Sequence, residues 1–373
     1  MKKRIGITGQ IGFVGTHLFN FLGLYKEEFE LVPFKDEFFS DYNVFKDWVK
    51  QCDVIVHLAA MNRHNDAEVL YKTNIELVEK LIKAMEEAGN ALHVLFSSSS
   101  QEERDNPYGK SKRLGRELLI GWAKRNNAKF TGMVIPNVFG PFGNPFYNSV
   151  VATFCHLLTN GGEPKIEIDA NLQLIYVNEL TFEICKIIRN EITDDEYKIK
   201  YTGERKVSEI LEMLKLYKQQ YLEKGIIPNL PDRFSVNLFN TFRNYCNIKE
   251  QFPVKLIKNS DARGAFIEVA KLGVGGQVSY STTVPGVTRG NHFHTRKIER
   301  FIVIKGKAVI KLRRIGTDEV LEYHLNGDEP SYVDMPVWYT HNITNVGDDE
   351  LITIFWINEI FDPNDQDTYF EAV

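Results

Sequence analysis

Cysteine is scarce in this chain, and the few cysteines are spread widely. The 373 residues include four of them, at Cys52, Cys155, Cys185 and Cys246. Their spacing matches neither a zinc site nor the paired framework of a disulfide-rich secreted domain. Such scattered cysteines are typical of a reducing compartment, so we expect a cytoplasmic protein.

Long hydrophobic runs and an excess of basic charge are also missing. An apolar stretch of about 18 residues, which a membrane helix requires, does not occur in the sequence. The apolar run behind Lys2 and Lys3 is interrupted by Gly6, Gly9 and Gly12, so it fits a strand and a turn better than a signal peptide. With 45 basic and 50 acidic residues the net charge is -5, which gives no indication of a nucleic-acid partner.

The chain has two parts with different hydrophobic periods. Up to about residue 215, apolar runs such as DVIVHLAA and LHVLFSSSS alternate with helical patterns, the longest ending at Gly89, a predicted helix C-cap. This alternation predicts βαβ units and a parallel sheet. From about residue 252, short strands follow one another without a helical segment, which predicts an antiparallel jelly roll. We therefore expect an α/β Rossmann-type domain at 1–245 and an all-β domain at 246–373, with an irregular linker around 225–250.

A glycine-rich turn follows the first predicted strand. Gly9, Gly12 and Gly15 lie between this strand and a helix, where glycines let the backbone approach a pyrophosphate at the helix N-terminus. This position at the first βα junction predicts a dinucleotide cofactor. The second strand ends at Lys35 and Asp36. A basic residue there favours the 2′-phosphate of NADP, whereas Asp36 leaves NAD open.

A tyrosine and a lysine lie four residues apart at the predicted start of a helix. Tyr108 and Lys112 share one face of this helix. A nearby lysine favours the phenolate, so we expect it to lower the pKa of Tyr108 and to make a general acid/base for neutral pH. The serine run from Ser97 to Ser100 ends a predicted parallel strand, which is where active sites of such sheets lie.

The front part resembles an extended short-chain dehydrogenase/reductase. The segments TGQIGFVG, HLAA, FSSSS and YGKSK carry the resemblance, and PNVFGP and LIYVNEL resemble nucleotide-sugar members of that family, so it covers residues 1 to about 215. It implies an NADPH enzyme in which Tyr108, Lys112 and Ser99 serve proton transfer, with Ser98 as the second choice. Only eight residues separate Ser99 from Tyr108, which leaves little room for a loop over a sugar.

The same resemblance implies a wider cofactor site and one substrate contact. The cofactor-binding residues that it implies are Gly9, Gly12, Phe13, Val14, Gly15, Lys35, Leu58, Ala59, Ala60, Asn74, Tyr108 and Lys112. Asn137, in PNVFGP, is the implied contact to the nucleotide sugar.

The stretch GNHFHTRKIERF places two histidines on one side of a predicted strand. His292 and His294 alternate with Phe293, so both imidazoles face the same way. Glu299 on the next strand and His341 on a later strand reach that side if the strands fold back. Three histidines and one glutamate suit zinc or another divalent transition metal. Exposed histidines on a barrel strand are the alternative interpretation.

These residues resemble the two motifs of the cupin family. The first motif is matched by Gly286, His292, His294, Glu299 and Gly306, and the second by Pro336, His341 and Asn345. Trp338 replaces the glycine that usually follows the proline, and Gly327 lies further upstream than the pattern expects.

The chemistry of such a site on a sugar would be epimerisation next to a ketone. A metal ion acts as a Lewis acid that stabilises the enolate formed when a neighbouring C–H bond loses its proton. The base stays open among Tyr280, Tyr332, Glu268 and Lys311. Arg263, in NSDARGAFIE, resembles a diphosphate contact of sugar-nucleotide epimerase cupins; an ordinary turn is the alternative.

In this order, the two parts resemble the bifunctional reductase–epimerases of bacterial capsular polysaccharide synthesis. The resemblance implies a homodimer whose substrate is a UDP-4-keto-6-deoxy-HexNAc. The cupin would epimerise C3 of a UDP-2-acetamido-2,6-dideoxy-4-hexulose. The reductase would then reduce the C4 ketone with NADPH to UDP-2-acetamido-2,6-dideoxy-L-talose, on the route to UDP-N-acetyl-L-fucosamine.

Two alternatives stay open. One is a UDP-sugar 4-epimerase or dehydratase that keeps NAD bound, for which Glu102 or Glu103 would supply the acidic group beside the serine. In the other, the cupin is a binding or dimerisation module without catalysis.

Overall fold

The computed structural model describes residues 1–89 and 92–373. By internal contacts the chain forms two compact units, one made of residues 1–150 and 168–207 and the other of 151–167 and 208–373. The functional boundary expected after residue 245 stays a prediction. Among the described residues, no helix is both long enough and apolar enough to cross a membrane.

The elements follow one another as strands and helices in the first part and mostly as strands in the second. The strands are β1 (Lys3–Thr8), β2 (Phe29–Val32), β3 (Val54–His57), β4 (His93–Ser99), β5 (Lys129–Ile135), β6 (Asn137–Phe139), β7 (Asn171–Tyr176), β8 (Asp194–Lys198), β9 (Gly203–Lys206), β10 (Ile226–Ile227), β11 (Val254–Lys255), β12 (Lys258–Asp261), β13 (Gly264–Ile267), β14 (Lys271–Leu272), β15 (Gln277–Thr283), β16 (Thr288–Phe293), β17 (Glu299–Lys305), β18 (Lys307–Arg314), β19 (Val320–Asn326), β20 (Ser331–Met335), β21 (Tyr339–Asn345), β22 (Leu351–Ile357) and β23 (Tyr369–Phe370). The helices are α1 (Phe13–Gly23), α2 (Tyr42–Lys50), α3 (Ala67–Ala88), α4 (Pro107–Asn126), α5 (Val150–Thr159), α6 (Val177–Asn190), α7 (Val207–Tyr217), α8 (Arg233–Arg243) and α9 (Ile248–Gln251). Two 3-10 segments span Asp36–Ser40 and Ser100–Glu103, and a π-helical segment, Lys218–Glu223, follows α7.

The first unit is built on a six-stranded parallel sheet in the order β2-β1-β3-β4-β5-β8. Trp48 of α2, Leu81 of α3 and Trp122 of α4 share one buried core with Ile55 of β3 and Phe96 of β4. The predicted Rossmann-type sheet is thus confirmed. Because β2 and β3 flank β1 on opposite sides, the sheet reverses its strand order there, and ligands of such sheets bind outside the carboxyl ends of these strands.

The second unit contains two five-stranded sheets, ordered β11-β20-β17-β22-β15 and β19-β18-β21-β16-β23. All their pairings are antiparallel, as the predicted all-β jelly roll requires. Apolar residues of both sheets meet in one core, among them Phe301 and Val333 of the first sheet and Ile310 and Ile343 of the second. The predicted all-β cupin architecture is therefore confirmed.

A buried ion pair joins the barrel to the helical segment that precedes it. Arg300 of β17 donates to Asp334 of β20 through Nε at 2.6 Å and Nη2 at 2.9 Å. Tyr221, in the π-helical segment, donates its hydroxyl hydrogen to the same carboxylate at 2.9 Å. The guanidinium also lies over the ring of Tyr332, 3.7 Å from its centroid. This network explains why the π-helical segment belongs to the barrel unit.

Candidate functional site

The glycine-rich turn is packed too closely for side chains. Gly9 has a φ of +67°, and a Cβ there would lie 3.0 Å from the backbone of Ala59, in the loop after β3. A Cβ at Gly15 would lie 2.1 Å from Gly9 O. Gly12 is the N-cap residue of α1, so no side chain caps the N–H groups of the first helical turn. With Phe13 and Val14 as the first helical residues, this is the arrangement in which helix N–H groups bind a pyrophosphate.

Lys35 lies three residues beyond the carboxyl end of β2, in a segment that contacts the glycine turn. Phe34 is buried against Trp48, with ring centroids 4.7 Å apart, and its N–H donates to Gln10 Oε1 at 2.8 Å. Lys35 and Asp36, which follow, are exposed. A side chain at this place can reach the ribose 2′ position of a dinucleotide in the turn.

Asn74 has a structural role that its predicted cofactor role did not include. Its Nδ2 donates to Met61 O and to Ser111 Oγ, both at 3.0 Å, and its Oδ1 accepts from Met61 N at 2.7 Å. The residue is 5% exposed. Asn74 therefore ties α3 to α4 and to the loop that begins with Leu58, Ala59 and Ala60.

Lys112 is anchored on β4 rather than on Tyr108. Its Nζ donates to Ser97 O at 2.8 Å and lies 5.8 Å from the ring centroid of Tyr108. Ser97 Oγ donates in turn to His57 O at 3.1 Å. Burial lowers the pKa of Lys112 to about 7, with a smaller opposing effect of Glu102. Sequence reasoning gave Ser97 no role, although the period of two in a strand places it on the same side as Ser99.

The predicted lowering of the pKa of Tyr108 is wrong for this structure. Burial raises the pKa of Tyr108 to about 12, and Tyr147 adds to the effect. Two features explain the difference: Lys112 directs its ammonium to a backbone carbonyl, and burial reduces the positive charge that Lys112 carries near neutral pH. The phenol of Tyr108 therefore keeps its hydrogen near neutral pH.

The other serines of the run are engaged in local hydrogen bonds. Ser99 Oγ accepts from Gln101 N at 3.2 Å and so caps the 3-10 segment that follows β4. Ser98 Oγ donates to Glu102, which forms a bidentate pair with Arg116 at 2.7 Å. The hydroxyl of Ser99 keeps its own hydrogen for a further acceptor in this arrangement.

Gly109 accounts for the short connection between Ser99 and Tyr108. A Cβ at Gly109 would lie 2.1 Å from Gln101 O, so the 3-10 segment packs directly on the first turn of α4. Asn106 caps that turn by accepting from Gly109 N at 2.8 Å. The eight residues between Ser99 and Tyr108 are too few for a longer loop, and the 3-10 segment packs directly on α4 instead.

A cleft opens beside the serine run at the carboxyl end of the sheet. It has a volume of about 630 Å³ and is lined by Ser99, Gln173 and Lys198, among others. Asn137 is exposed and donates through Nδ2 to Gln173 O at 3.1 Å, so it lies against one wall of the cleft.

In the second unit, four predicted ligands meet inside the barrel. One ligand atom from each of His292, His294, Glu299 and His341 lies within 4.8 Å of the others. His292 of β16 pairs with His341 of β21, beyond a β-bulge in which Asn291 has a φ of +62°. Bulges of this kind re-aim side chains next to functional sites. The sequence thus brings the four residues together as the strand alternation indicated.

The hydrogen bonds of the cluster leave ring nitrogens facing one carboxylate. His294 Nδ1 donates to Asp367 O at 2.6 Å, and His341 Nδ1 to Tyr339 O at 3.2 Å. A carbonyl oxygen only accepts, so Nδ1 of each ring carries a hydrogen. Nε2 of each ring faces Glu299 Oε2 at 3.2 Å. A largely buried carboxylate faced by two imidazole nitrogens fits the donor set of a divalent cation.

The charges of the cluster are mutually adjusted. Burial would raise the pKa of Glu299, but the hydrogen bonds from His294 and His341 outweigh it and hold that pKa well below its usual range. Burial lowers the pKa of His292 to about 4, and the two other histidines act in the same direction. Burial also opposes the charge on His294, but Glu299 outweighs it and raises that pKa.

A cavity of about 360 Å³ extends from this cluster, and the four predicted bases do not line it. Tyr280 is 64% exposed, Tyr332 is buried under Arg300, and Glu268 and Lys311 are paired with Lys271 and Glu322. The titratable side chains that do line the cavity beside the cluster are Arg289, Lys297 and Glu359. Glu359 is paired with Arg296 at 3.1 Å.

Two residues of the barrel that the sequence singled out, Trp338 and Arg263, make local contacts. Trp338, where the pattern has glycine, keeps a φ of +63° and donates its N–H to His294 O at 2.8 Å. Arg263 lies at the β12–β13 turn, where its guanidinium binds Asp261 at 2.6 Å and its side chain is 91% exposed. It is not among the residues that line the cavity.

Comparison with known proteins matches both parts of the chain. Residues 5–199 match the NAD dependent epimerase/dehydratase family, and residues 259–369 match the Polysaccharide biosynthesis C-terminal domain. The chain is 33% identical over 371 residues to the UDP-2-acetamido-2,6-beta-L-arabino-hexul-4-ose reductase of Pseudomonas aeruginosa, covering 98% of each chain. It is 28% identical over 123 residues to the spore coat polysaccharide biosynthesis protein SpsL of Bacillus subtilis, covering 30% of this chain and 82% of that protein.

A solved structure is similar along the whole chain. The crystal structure of the capsular polysaccharide assembling protein CapF from Staphylococcus aureus is 35% identical, with a TM-score of 0.61, and the match covers 99% of this chain and 100% of the other. This match and the match to the Pseudomonas aeruginosa reductase both span the two parts of the chain.

Proposed function

The chain belongs to the NAD dependent epimerase/dehydratase family, and from this we propose that it is a bifunctional enzyme of nucleotide-sugar synthesis for capsule or surface polysaccharide. Its substrate would be a UDP-4-keto-6-deoxy-HexNAc. The observation that carries the proposal is the match over 98% of both chains to a reductase of a UDP-linked 4-keto sugar. We assign the reductase chemistry to residues 1–245 and the epimerase chemistry to residues 246–373.

The reductase half would convert the C4 ketone to an alcohol. NADPH supplies the hydride when bound at the glycine turn, where the exposed Lys35 would contact the 2′-phosphate. Tyr108 would give its proton to the C4 oxygen, and Ser99 would donate a hydrogen bond to the same ketone. The raised pKa of Tyr108 supports this direction, because a reduction needs a protonated phenol. Lys112, held by its hydrogen bond to Ser97 O of β4, would contact the nicotinamide ribose.

The barrel half would exchange the proton at C3. His292, His294, Glu299 and His341 would hold zinc or another divalent transition metal. The ion would supply Lewis-acid polarisation of the neighbouring C4 ketone. The chain's own part is to keep Nε2 of His294 and His341 turned to the ion, through the Nδ1 hydrogen bonds to backbone carbonyls.

Both reactions would use the same ketone, first to acidify the C3 hydrogen and then to accept hydride. The product would be UDP-2-acetamido-2,6-dideoxy-L-talose, on the route to UDP-N-acetyl-L-fucosamine. We further propose that the enzyme is a homodimer and acts in the cytoplasm, which agrees with its four free, buried cysteines.

One observation favours this reading over a dehydratase. Glu102, the acidic group closest in sequence to the serine run, is held by Arg116 through three hydrogen bonds and accepts a fourth from Ser98. A carboxylate engaged in this way is poorly placed to serve as an acid for a leaving hydroxyl. Glu103 is exposed, beyond the serine run.

Proton NMR of the keto sugar in deuterium oxide tests both activities together. We expect deuterium at C3 without NADPH, loss of that exchange with a chelator, and reduction of the ketone in step with NADPH consumption. Ala at both His292 and His294 should abolish exchange and leave reduction of an already epimerised sugar. Turnover without net use of NADPH would instead indicate a 4-epimerase or dehydratase, and exchange that survives the double substitution would make the barrel a binding module.

A further inference from the structure

We propose that Asp367, close to the C-terminus, is a positioning residue for His294. It would fix the tautomer and the orientation of the imidazole, so that Nε2 is the ligand atom. The inference rests on the proposed metal function of the cluster. It concerns a residue outside both cupin motifs.

The contact between the two residues defines the tautomer. His294 Nδ1 lies 2.6 Å from Asp367 O, and both residues are at least nine-tenths buried. A backbone carbonyl has no hydrogen to give, so Nδ1 must carry the hydrogen. Nε2, which lies 3.2 Å from Glu299 Oε2, is then the ring nitrogen left to bind a metal ion. Histidine ligands of metals are oriented in this way by the hydrogen bond of the second ring nitrogen.

The side chain of Asp367 holds the backbone that follows His294. Its carboxylate accepts from Thr295 Oγ1 at 2.6 Å, from Thr295 N at 3.1 Å, and from Arg296 N and Lys297 N, both at 3.0 Å. Asp367 itself has a φ of +44°, a conformation that Asp and Asn tolerate better than other side chains. One residue thus binds the ring with its carbonyl and the adjoining turn with its carboxylate.

The flanking residues hold Asp367 in place from both sides. β23 pairs with β16, with His292 opposite Phe370, and Glu371 N donates to Asn291 O at 3.0 Å. On the other side, Lys297 Nζ donates to Gln366 O at 2.6 Å. We name residues 366–371 the C-terminal strap. It lies along the strand that carries His292, so its position is coupled to two of the four proposed ligands.

Asp367→Asn tests the inference because it keeps the size and the backbone conformation and removes acceptor capacity. The amide has one oxygen in place of two, and its NH2 group faces backbone N–H groups that need an acceptor. Asp365→Asn is the matched control, since Asp365 is two residues away on the same segment and binds the exposed edge of Arg296. Both variants are prepared metal-free as full chains and loaded with Zn²⁺ or Co²⁺.

Two readouts separate positioning from general destabilisation. Competition against a chromophoric chelator is expected to show Zn²⁺ affinity about 10- to 100-fold lower for Asp367→Asn, as for other groups that orient metal ligands, and an unchanged affinity for Asp365→Asn. The visible absorption of bound Co²⁺ is expected to change in Asp367→Asn only, since it reports ligand geometry. Thermal unfolding of the metal-free proteins measures stability separately.

Each outcome has a distinct meaning. If the unsubstituted protein binds neither Zn²⁺ nor Co²⁺, the proposed metal function fails. If it binds both, and Asp367→Asn has the same affinity and spectrum, the role of Asp367 is overturned, even if that variant unfolds at lower temperature. If Asp367→Asn does not fold, Thr295→Val, which removes one hydrogen bond to the carboxylate, is expected to lower the Zn²⁺ affinity, and an unchanged affinity overturns the inference.

Discussion

Lys112 Nζ donates a hydrogen bond to the backbone oxygen of Ser97 at 2.8 Å. The lysine is therefore fixed to the strand that carries the serine run, and its side chain is buried. Because Lys112 is a buried titratable amine, the free energy of unfolding of the protein depends on pH.

Replacing Lys112 by Met is expected to stabilise the protein more at pH 6 than at pH 10. The pKa of Lys112 is about 7 in the folded protein, because burial disfavours the charge, and about 10.4 in an unfolded chain. Between these values the unfolded chain binds more protons, so wild-type stability rises with pH across this window and is lost as pH falls through about 7. Urea unfolding at several pH values measures this, with the exposed Lys124→Met of the same helix as control. A stability difference between wild type and Lys112→Met that does not change with pH would contradict the lowered pKa of Lys112.

Replacing Tyr108 by Phe is expected to lower the rate of ketone reduction by about 100-fold or more, since it removes the proton donor. Binding of NADPH, followed by its fluorescence, should be retained. Tyr25→Phe, on a tyrosine that stacks with Arg189, is the control. A Tyr108→Phe variant that reduces the sugar at the wild-type rate would remove Tyr108 from the proposed mechanism.

Replacing Lys35 by Glu is expected to shift coenzyme preference from NADPH towards NADH. The exposed lysine lies in the segment just after β2, where a carboxylate would repel a 2′-phosphate and accept from a 2′-hydroxyl. We expect KM for NADPH to rise by about tenfold or more, which corresponds to about 1.4 kcal/mol. Steady-state kinetics with both coenzymes measure it, and Lys26→Glu, at another exposed position, should leave the preference unchanged.

Replacing Gly109 by Ala is expected to reduce both stability and reductase activity. The new Cβ would lie 2.1 Å from Gln101 O, so the 3-10 segment that Ser99 caps must move. Gly121→Ala in the same helix is the control, because its Cβ meets only the flexible end of Arg125 at 3.4 Å. That control should gain about 0.5–1 kcal/mol from helix propensity. Equal behaviour of the two variants would show that the close contact has no importance.

Replacing Asp334 by Asn is expected to lower the free energy of unfolding by about 3–5 kcal/mol, because it leaves Arg300 charged and buried without its counter-ion. Both side chains are at most 1% exposed. Glu329→Gln breaks an exposed pair with Lys255 and should cost less than about 1 kcal/mol. Chemical denaturation monitored by tryptophan fluorescence measures both. A small loss for Asp334→Asn would mean that the pair is replaceable.

Local patterns predicted the parts of the protein that depend on local geometry. Gly89 does end α3 in the left-handed conformation, with a φ of +67°. The alternation about Phe293 predicted that His292 and His294 share a side, and they lie with Glu299 and His341 in one cluster. Their metal binding stays a prediction, as does the serine assignment, because no ligand contact tests either one.

Features that depend on distant partners were missed. The pKa of Tyr108 follows from burial and from the direction in which Lys112 points, and a four-residue spacing contains neither. The four suggested bases were chosen by residue type, but strand register places Tyr280 on the outer face. Asp367 lies 73 positions from His294, and only the folded barrel brings them together.

The discontinuous barrel unit limits how the protein can be divided. The chain enters this unit at residue 151, leaves it after 167 and returns at 208. A gene fragment that begins at residue 246 would encode a barrel without Tyr221 and without Gly225, whose carbonyl accepts from Arg300. Such a fragment would open the buried pair to water on one side. Transfer of the barrel to another protein should therefore carry residues 208–245 as well, rather than begin at the change in sequence pattern.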